Sequence, residues 1–504
     1  MFDIYDKCVE ESKKHTFRTQ DELEARLGEL QREMKAAGIP TMIVFEGWSA
    51  SGKGSRISRL IYHLDPRGFK VWTMDKPSDE QKRYPVMHRY WQRLPAAGNI
   101  AIFDRSWYRC FDFIEGKKLK DNDDLKIYNI LDFESQVTSE DCLLIKIFLH
   151  ISADEQKKRF NKLKSVKSTA WRIKKSDLKQ NENYVKVYRM LCDVLDRTNT
   201  PNAPWHVVNT ATGDEATAQV FSIVIEAMEQ ALEQKSRGLA INPAPSTVTA
   251  PVKPQVSVSL KDIDLASAVS DKSYKKRLKA LQEQLFMLQN ELYRRKIPLV
   301  IAYEGWDAAG KGGNIKRVAQ ALDPRGYEVI PISAPTEEER SHHFLWRFWR
   351  VLPKDGHTAI FDRSWYGRVM VEPIEGFINE EQRLRAYDEI NRFEYSLTQF
   401  GTIVIKFWLH IDSDEQLVRF TARQNTPSKQ WKITDEDWRN RSKWAAYETA
   451  VDEMIAKTNT PNAPWIIVES NDKKYARLRT LEELIAIIEK RLSENDKIPS
   501  DYRS

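Results

Sequence analysis

Residues 298–313 read PLVIAYEGWDAAGKGG, and this stretch decides the fold. Pro298 to Tyr303 is a continuous apolar run of strand type, Gly305, Gly310 and Lys311 carry GxxxxGK spacing, and helical sequence follows. Strand, glycine-rich turn and helix in that order form a phosphate cradle. Glycines let backbone N–H groups curl around phosphate oxygens, the helix amino terminus adds partial positive charge, and the lysine adds a full one. Gly310, Lys311, Gly312 and Gly313 are therefore read as phosphate-binding.

The Ser or Thr that usually follows the lysine and holds Mg²⁺ is replaced by Gly312. Another ligand must serve the metal, and Asp307, inside the loop, has the hard carboxylate oxygens that Mg²⁺ takes. Asp362 closes the apolar run Thr358 to Phe361, where a Walker B carboxylate stands beside such a loop in a parallel sheet. Asp307 and Asp362 are the expected metal ligands. Arg363 and Arg368, just beyond, have guanidinium groups suited to phosphate charge.

Outward from this stretch the chain repeats itself. EGWDAAGKG at Glu304 echoes EGWSASGKG at Glu46, DPRG at Asp323 echoes Asp65, and DRSWY at Asp362 echoes Asp104, each 258 residues apart; TNTPNAPW at Thr458 echoes Thr198 at an offset of 260. The expected organisation is a first domain over 1–237, a Pro-rich linker over 238–260 containing Pro243, Pro245, Pro251 and Pro254, and a second domain over 261–504. In each half an amphipathic helix comes first, with Leu23, Leu27, Leu30 and Met34 echoed by Leu278, Leu281, Leu285, Leu288 and Leu292. Apolar strands then alternate with helices: Thr41–Phe45 and Pro298–Tyr303 first, and in the second half Tyr327–Ile332, Thr358–Phe361, Thr402–Ile411 and Trp465–Val468. That alternation predicts a doubly wound α/β domain with a parallel sheet, twice over.

Composition sets the wider bounds. The 504 residues, 41% hydrophobic and 30% charged, suit two or three globular domains, and 79 basic against 73 acidic residues leave only +6. No apolar run nears the roughly 20 residues of a membrane crossing. The amino-terminal MFDIYDKCVEESKKH lacks an apolar core, so a secretory signal is not expected and the cytosol is. Cys8, Cys110, Cys142 and Cys192 show no CxxC spacing, which argues for reduced structural thiols.

EGWDAAGKGG, DPRGY, FWRVLP, DRSWYGR and RFTARQNTPSKQWKIT, in that order, resemble the polyphosphate kinase 2 family, and the tandem arrangement is similar to its two-domain members that use AMP. The resemblance implies Mg²⁺-assisted transfer of a terminal phosphoryl group from inorganic polyphosphate to AMP, giving ADP, with GMP left open. It gives Asp307 and Lys311 the phosphate-loop roles and Asp362 and Arg363 the Walker B roles. It also puts Arg419, Arg423, Lys429 and Lys432 on a mobile helical lid. Leu417 to Ala446 carries seven basic and three acidic residues. AMP is largely dianionic at neutral pH, so no strong base is required. His342, His343 and His410 are candidates for a phosphohistidine, but neither position is signalled as a nucleophile.

The halves differ. Lys53 and Asp104 match Lys311 and Asp362, but Ser49 stands opposite Asp307, Cys110 opposite Arg368, Leu163 opposite Arg423 and Thr169 opposite Lys429, while Asp214 and Thr217 face Lys474 and Arg477. Turnover is expected in the second half. Lys157 to Lys186 nevertheless holds eleven basic and two acidic residues, a surface able to hold a polyanion in the first. The alternatives are an ATP-dependent nucleoside monophosphate kinase and a polyanion-binding protein without turnover. No nucleic-acid recognition pattern is present, no membrane partner is expected, and a homo-oligomer is left open.

Overall fold

A computed structural model describes residues 3–14, 19–243, 248, 252–256 and 259–494. Pro245 and Pro251 of the expected linker lie outside the described residues. The chain divides into two compact units. One is Met1–Pro77, Arg89–Val248 and Thr336–Trp346; the other is Ser78–His88, Thr249–Pro335 and Arg347–Ser504.

Each unit carries a five-stranded parallel sheet. The first has β1 (Thr41–Gly47), β2 (Phe69–Thr73), β3 (Ile100–Asp104), β4 (Leu143–His150) and β5 (Trp205–Asn209), in the order β2-β3-β1-β4-β5. The second has β6 (Leu299–Gly305), β7 (Tyr327–Pro331), β8 (Thr358–Asp362), β9 (Ile403–His410) and β10 (Trp465–Glu469), in the matching order β7-β8-β6-β9-β10. The central strands β1, β4, β6 and β9 are buried almost throughout, as parallel strands covered on both faces must be.

The apolar stripe of the Gln20–Ala36 helix is seated in the core, with Leu23, Leu27, Leu30 and Met34 all buried beside Val220, Phe221 and Val224 of the Gly213–Ser236 helix. In the second unit the Asp271–Arg295 and Lys473–Ser493 helices pack together in the same way, although only Leu285 and Leu292 of the predicted leucine stripe are fully buried. Parallel register then fixes the site. Phe45 pairs with Asp104 and Tyr303 with Asp362, so each of these aspartates ends its strand level with the last residues of β1 or β6 before the glycine-rich turn. Crossing order reverses at β1 and at β6, the place where open α/β sheets bind ligands.

Each sheet also buries one charge. Lys406 of β9, fully buried, donates to Glu394 at 2.8 Å, Tyr366 Oη at 2.8 Å and the Thr458 carbonyl at 2.7 Å. Lys146 of β4 does the same with Glu134 at 2.7 Å, Tyr108 at 3.2 Å and the Thr198 carbonyl at 2.7 Å. An ammonium is tolerable at zero exposure only when paired and fully hydrogen-bonded, and here three acceptors satisfy its three protons.

Candidate phosphate-transfer site

In the second unit the loop leaves β6 at Gly305, whose φ of +146° and close approach to the Leu409 backbone exclude any side chain: a Cβ there would lie 2.6 Å from the Leu409 oxygen. Gly310 is left-handed and begins the Lys311–Ala319 helix. Lys311 folds back over the loop, donating to the Gly305 carbonyl at 2.5 Å and the Trp306 carbonyl at 3.3 Å. Burial lowers the pKa of its ammonium, while Asp307 acts to raise it. The loop is therefore closed on itself through its lysine.

Asp307 sits at the centre of the polar contacts. Its Oδ2 accepts from Asn440 at 3.1 Å, its Oδ1 lies 3.5 Å from Arg363, and its backbone carbonyl accepts from Gln416 at 3.1 Å. Asp362 and Asp307 both act on Lys311 and on Arg363. Arg363 has a positive φ of 66°, and its amide donates to the Tyr303 carbonyl at 3.0 Å, which turns its side chain out of line with β8. A non-glycine residue in that region marks strain held by its surroundings. Asp307 Oδ1 has only the long Arg363 contact, and the Asp362 carboxylate accepts no hydrogen bond among the described residues. Oxygen donors left open on both sides of a lysine fit a hard divalent cation.

The basic residues expected on a lid separate into two groups. Arg419 is 4% exposed, and its guanidinium is spent on protein acceptors: Glu415, the carbonyls of Ala308 at 2.9 Å and Ala309 at 3.0 Å, and those of Ser470 at 2.6 Å and Asn471 at 2.9 Å. It is a clamp on the back of the phosphate loop. Arg368 is also inward, paired with Glu372 at 2.9 Å. Lys429 and Lys432 are exposed and Arg423 is half-buried, with Arg423 donating to the Lys432 carbonyl at 3.0 Å and Lys432 lying 5.1 Å from the centre of the Trp431 ring. The Asp435–Ser442 helix connects this exposed segment to Asp307 through Asn440.

Several contributors escaped sequence reading. Glu304 is buried and accepts from the Ser364 amide at 2.7 Å and its hydroxyl at 2.8 Å, tying the start of one loop to the end of β8; burial raises its pKa. Glu46 and Ser106 do the same in the first unit. The signal was present, since Glu46 and Glu304 both open the repeated EGW motif. Asn440 and Gln416 gave none. His410 has a structural partner: its Nδ1 accepts from Trp306 at 3.1 Å, and burial pushes its pKa down to about 4.

The polyphosphate kinase 2 family model matches residues 10–236 and again 268–496. The chain belongs to the polyphosphate kinase 2 family. A Pseudomonas aeruginosa protein named polyphosphate:AMP phosphotransferase is 41% identical over 471 residues, covering 93% of this chain and 94% of that one. A Pseudomonas syringae pv. tomato protein of the same name is 39% identical, covering 90% and 91%. A crystal structure described as a polyphosphate kinase 2 from Pseudomonas aeruginosa superimposes with a TM-score of 0.83 at 38% identity, over 97% of this chain and all of that one. Within this polyphosphate kinase 2 chain, the two family matches fall on the two repeats.

Proposed function

We propose that this chain transfers the terminal phosphoryl group of inorganic polyphosphate to AMP, giving ADP, and that turnover resides in the second repeat. The observation that carries the reading is similarity over nearly the full length to relatives named polyphosphate:AMP phosphotransferase, covering 93% of this chain and 94% of the Pseudomonas aeruginosa protein. The cytosol is the proposed compartment. Among the described residues no helix is long and apolar enough to cross a membrane, and none of the four cysteines is in a disulfide.

Asp307 and Asp362 would hold Mg²⁺, which when bound neutralises phosphate oxygens and fixes their orientation. Lys311 and the amides from Gly310 to Gly313 bind the phosphate being transferred. Arg363 faces the same charge from the β8 side. The attacking AMP oxygen is already anionic, so the bond to phosphorus forms, and the bond to the shortened polyphosphate breaks, without a proton being removed first. Arg423, Lys429 and Lys432 meet the polyphosphate as the exposed segment closes. Arg419 and Arg368 act behind these groups by holding the loop and the segment after β8.

Purified protein, AMP and Mg²⁺ should form ADP with polyphosphate as donor. ADP formation with ATP and not with polyphosphate would make the chain an ATP-dependent nucleoside monophosphate kinase instead.

A further inference from the structure

Arg56 is 7% exposed and lies one turn into the Lys53–Tyr62 helix, and its side chain makes no hydrogen bond or ion pair among the described residues. Burying an unpaired guanidinium is costly, and its pKa is lowered, first by burial and then by Arg59 and Arg159. Its aim is defined by two glycines. A methyl group at Gly52 would sit 4.0 Å from Arg56 Nη1 and 4.0 Å from Arg159 Nη1, and one at Gly213 would sit 4.0 Å from Arg56 Nη2.

Gly52 is the left-handed residue that starts the phosphate-loop helix. Gly213 starts the Gly213–Ser236 helix, whose N-cap Thr212 gives it no side-chain cap. Two helix amino termini and a buried cation thus converge on one point, an arrangement that repels itself until an anion enters. The nearest carboxylate, Asp214, is taken by Arg59 at 2.8 Å, and Arg159 is held by Glu155 at 2.8 Å and by the Ala50 carbonyl at 3.1 Å.

The second repeat reaches a similar result from the other side. Asn314 replaces Arg56, and there Arg477, from the Lys473–Ser493 helix, lies 3.2 Å from where a Gly313 methyl would be. Thr217 stands opposite Arg477. The guanidinium has changed helix between the repeats, and the loop's positive partner has been kept. What has not been kept is the carboxylate at Asp307: Ser49 stands there, and Asp177, which it contacts, has both oxygens engaged, by Ser49 Oγ at 2.7 Å and the Lys174 amide at 2.8 Å.

We propose that the first repeat holds a phosphate site between Gly52, Arg56 and Gly213 that binds one phosphate of a condensed phosphate chain without a divalent cation. The choice of condensed phosphate rests on the reading of polyphosphate as donor; the anion site itself does not. In the second repeat Asp307 and Asp362 repel phosphate until a cation is present, so chelation separates the two sites.

The test is calorimetric titration of the full chain with tripolyphosphate in EDTA, without AMP. Wild type and Lys311→Ala should both bind, and Arg56→Asn, which installs the residue the second repeat already accommodates, should weaken binding at least about tenfold, or about 1.4 kcal/mol. Arg56→Lys should fall between. The ligand-free melting temperature of Arg56→Asn should be equal to or above wild type, since an unpaired buried charge is removed. Binding lost in Lys311→Ala and kept in Arg56→Asn would overturn the proposal, as would a lowered ligand-free melting temperature in Arg56→Asn, which would make Arg56 a structural partner. AMP binding in EDTA in place of tripolyphosphate would reassign the site to a nucleotide. None of these outcomes bears on turnover, because no titration contains metal and none holds tripolyphosphate and AMP together.

Discussion

Ser49 Oγ donates to Asp177 Oδ1 at 2.7 Å in the first repeat, whereas at the equivalent position in the second Asp307 turns its own carboxylate toward Arg363 at 3.5 Å. One loop is closed by a hydroxyl bonded to a helix-capping aspartate. The other presents a carboxylate to the space beside Lys311. The backbone frames match, as do Lys53 with Lys311 and Asp104 with Asp362, so the difference lies in one side chain and its partner.

Asp307→Asn should therefore lower kcat by about 100- to 1,000-fold at saturating Mg²⁺ while leaving the fold intact, the scale for losing a preorganised electrostatic group. Steady-state ADP formation checks this. Ser49→Asp should not create a second active site: it sets a carboxylate against Asp177, and the expected result is a lower melting temperature without added turnover. Near-wild-type kcat in Asp307→Asn would remove it from the reaction.

Arg423→Ala and Lys432→Ala should raise KM for polyphosphate. Lys432 is exposed and Arg423 partly so, and attraction between solvent-accessible charges and a polyanion is screened by salt. Wild-type KM should rise with ionic strength, and the variants should start higher and rise less steeply. Parallel salt dependences would mean that neither residue meets the donor. Arg419→Ala should act differently, as loss of stability and of kcat together, because its guanidinium holds the carbonyls of Ala308 and Ala309.

The contrast between Arg419 and Arg423 marks the reach of sequence reading. The family resemblance placed both on one basic lid segment without distinguishing them. Which one turns inward depends on the Ser470 and Asn471 carbonyls arriving from the end of β10, a long-range fact that local pattern does not carry. The sheets were legible because continuous apolar runs such as Pro298–Tyr303 admit few other uses. Asp362 was legible for the same reason, as the polar residue ending such a run. Asn440 was not, being one polar residue among many on a polar helix, and neither was Arg56, whose burial depends on the distant Gly213–Ser236 helix.

Lys146 inside an apolar run was visible in sequence, but not what it needs. Glu394→Gln should destabilise the second unit by about 3–5 kcal/mol, because it leaves the fully buried Lys406 without a countercharge. Glu134→Gln should do the same to the first through Lys146. Replacing pair members together, as Lys406→Met with Glu394→Leu, should cost less than Glu394→Gln alone, since no unpaired charge remains. Denaturant unfolding measures all three.

His410 and His150 set the acid limit of the fold. Each is buried, each accepts from an indole (Trp306 at 3.1 Å, Trp48 at 3.2 Å), and burial holds each pKa at about 4, against about 6.5 when unfolded. Between those values the unfolded chain binds protons that the native chain refuses, so stability rises with pH there and is lost as pH falls. The histidine contribution should be complete above pH 6.5 and should decline by about 1.4 kcal/mol per histidine for each pH unit below it, until native protonation begins near pH 4. Over the whole interval from pH 6.5 to 5 that amounts to about 2 kcal/mol in total for each histidine. His410→Gln, which offers Trp306 an acceptor but cannot titrate, should unfold at a lower denaturant concentration at pH 7.5 yet show a shallower fall in stability toward pH 5. Equal slopes for wild type and His410→Gln over that window would mean that His410 is protonated in the native state and that the indole bond is not what governs its charge.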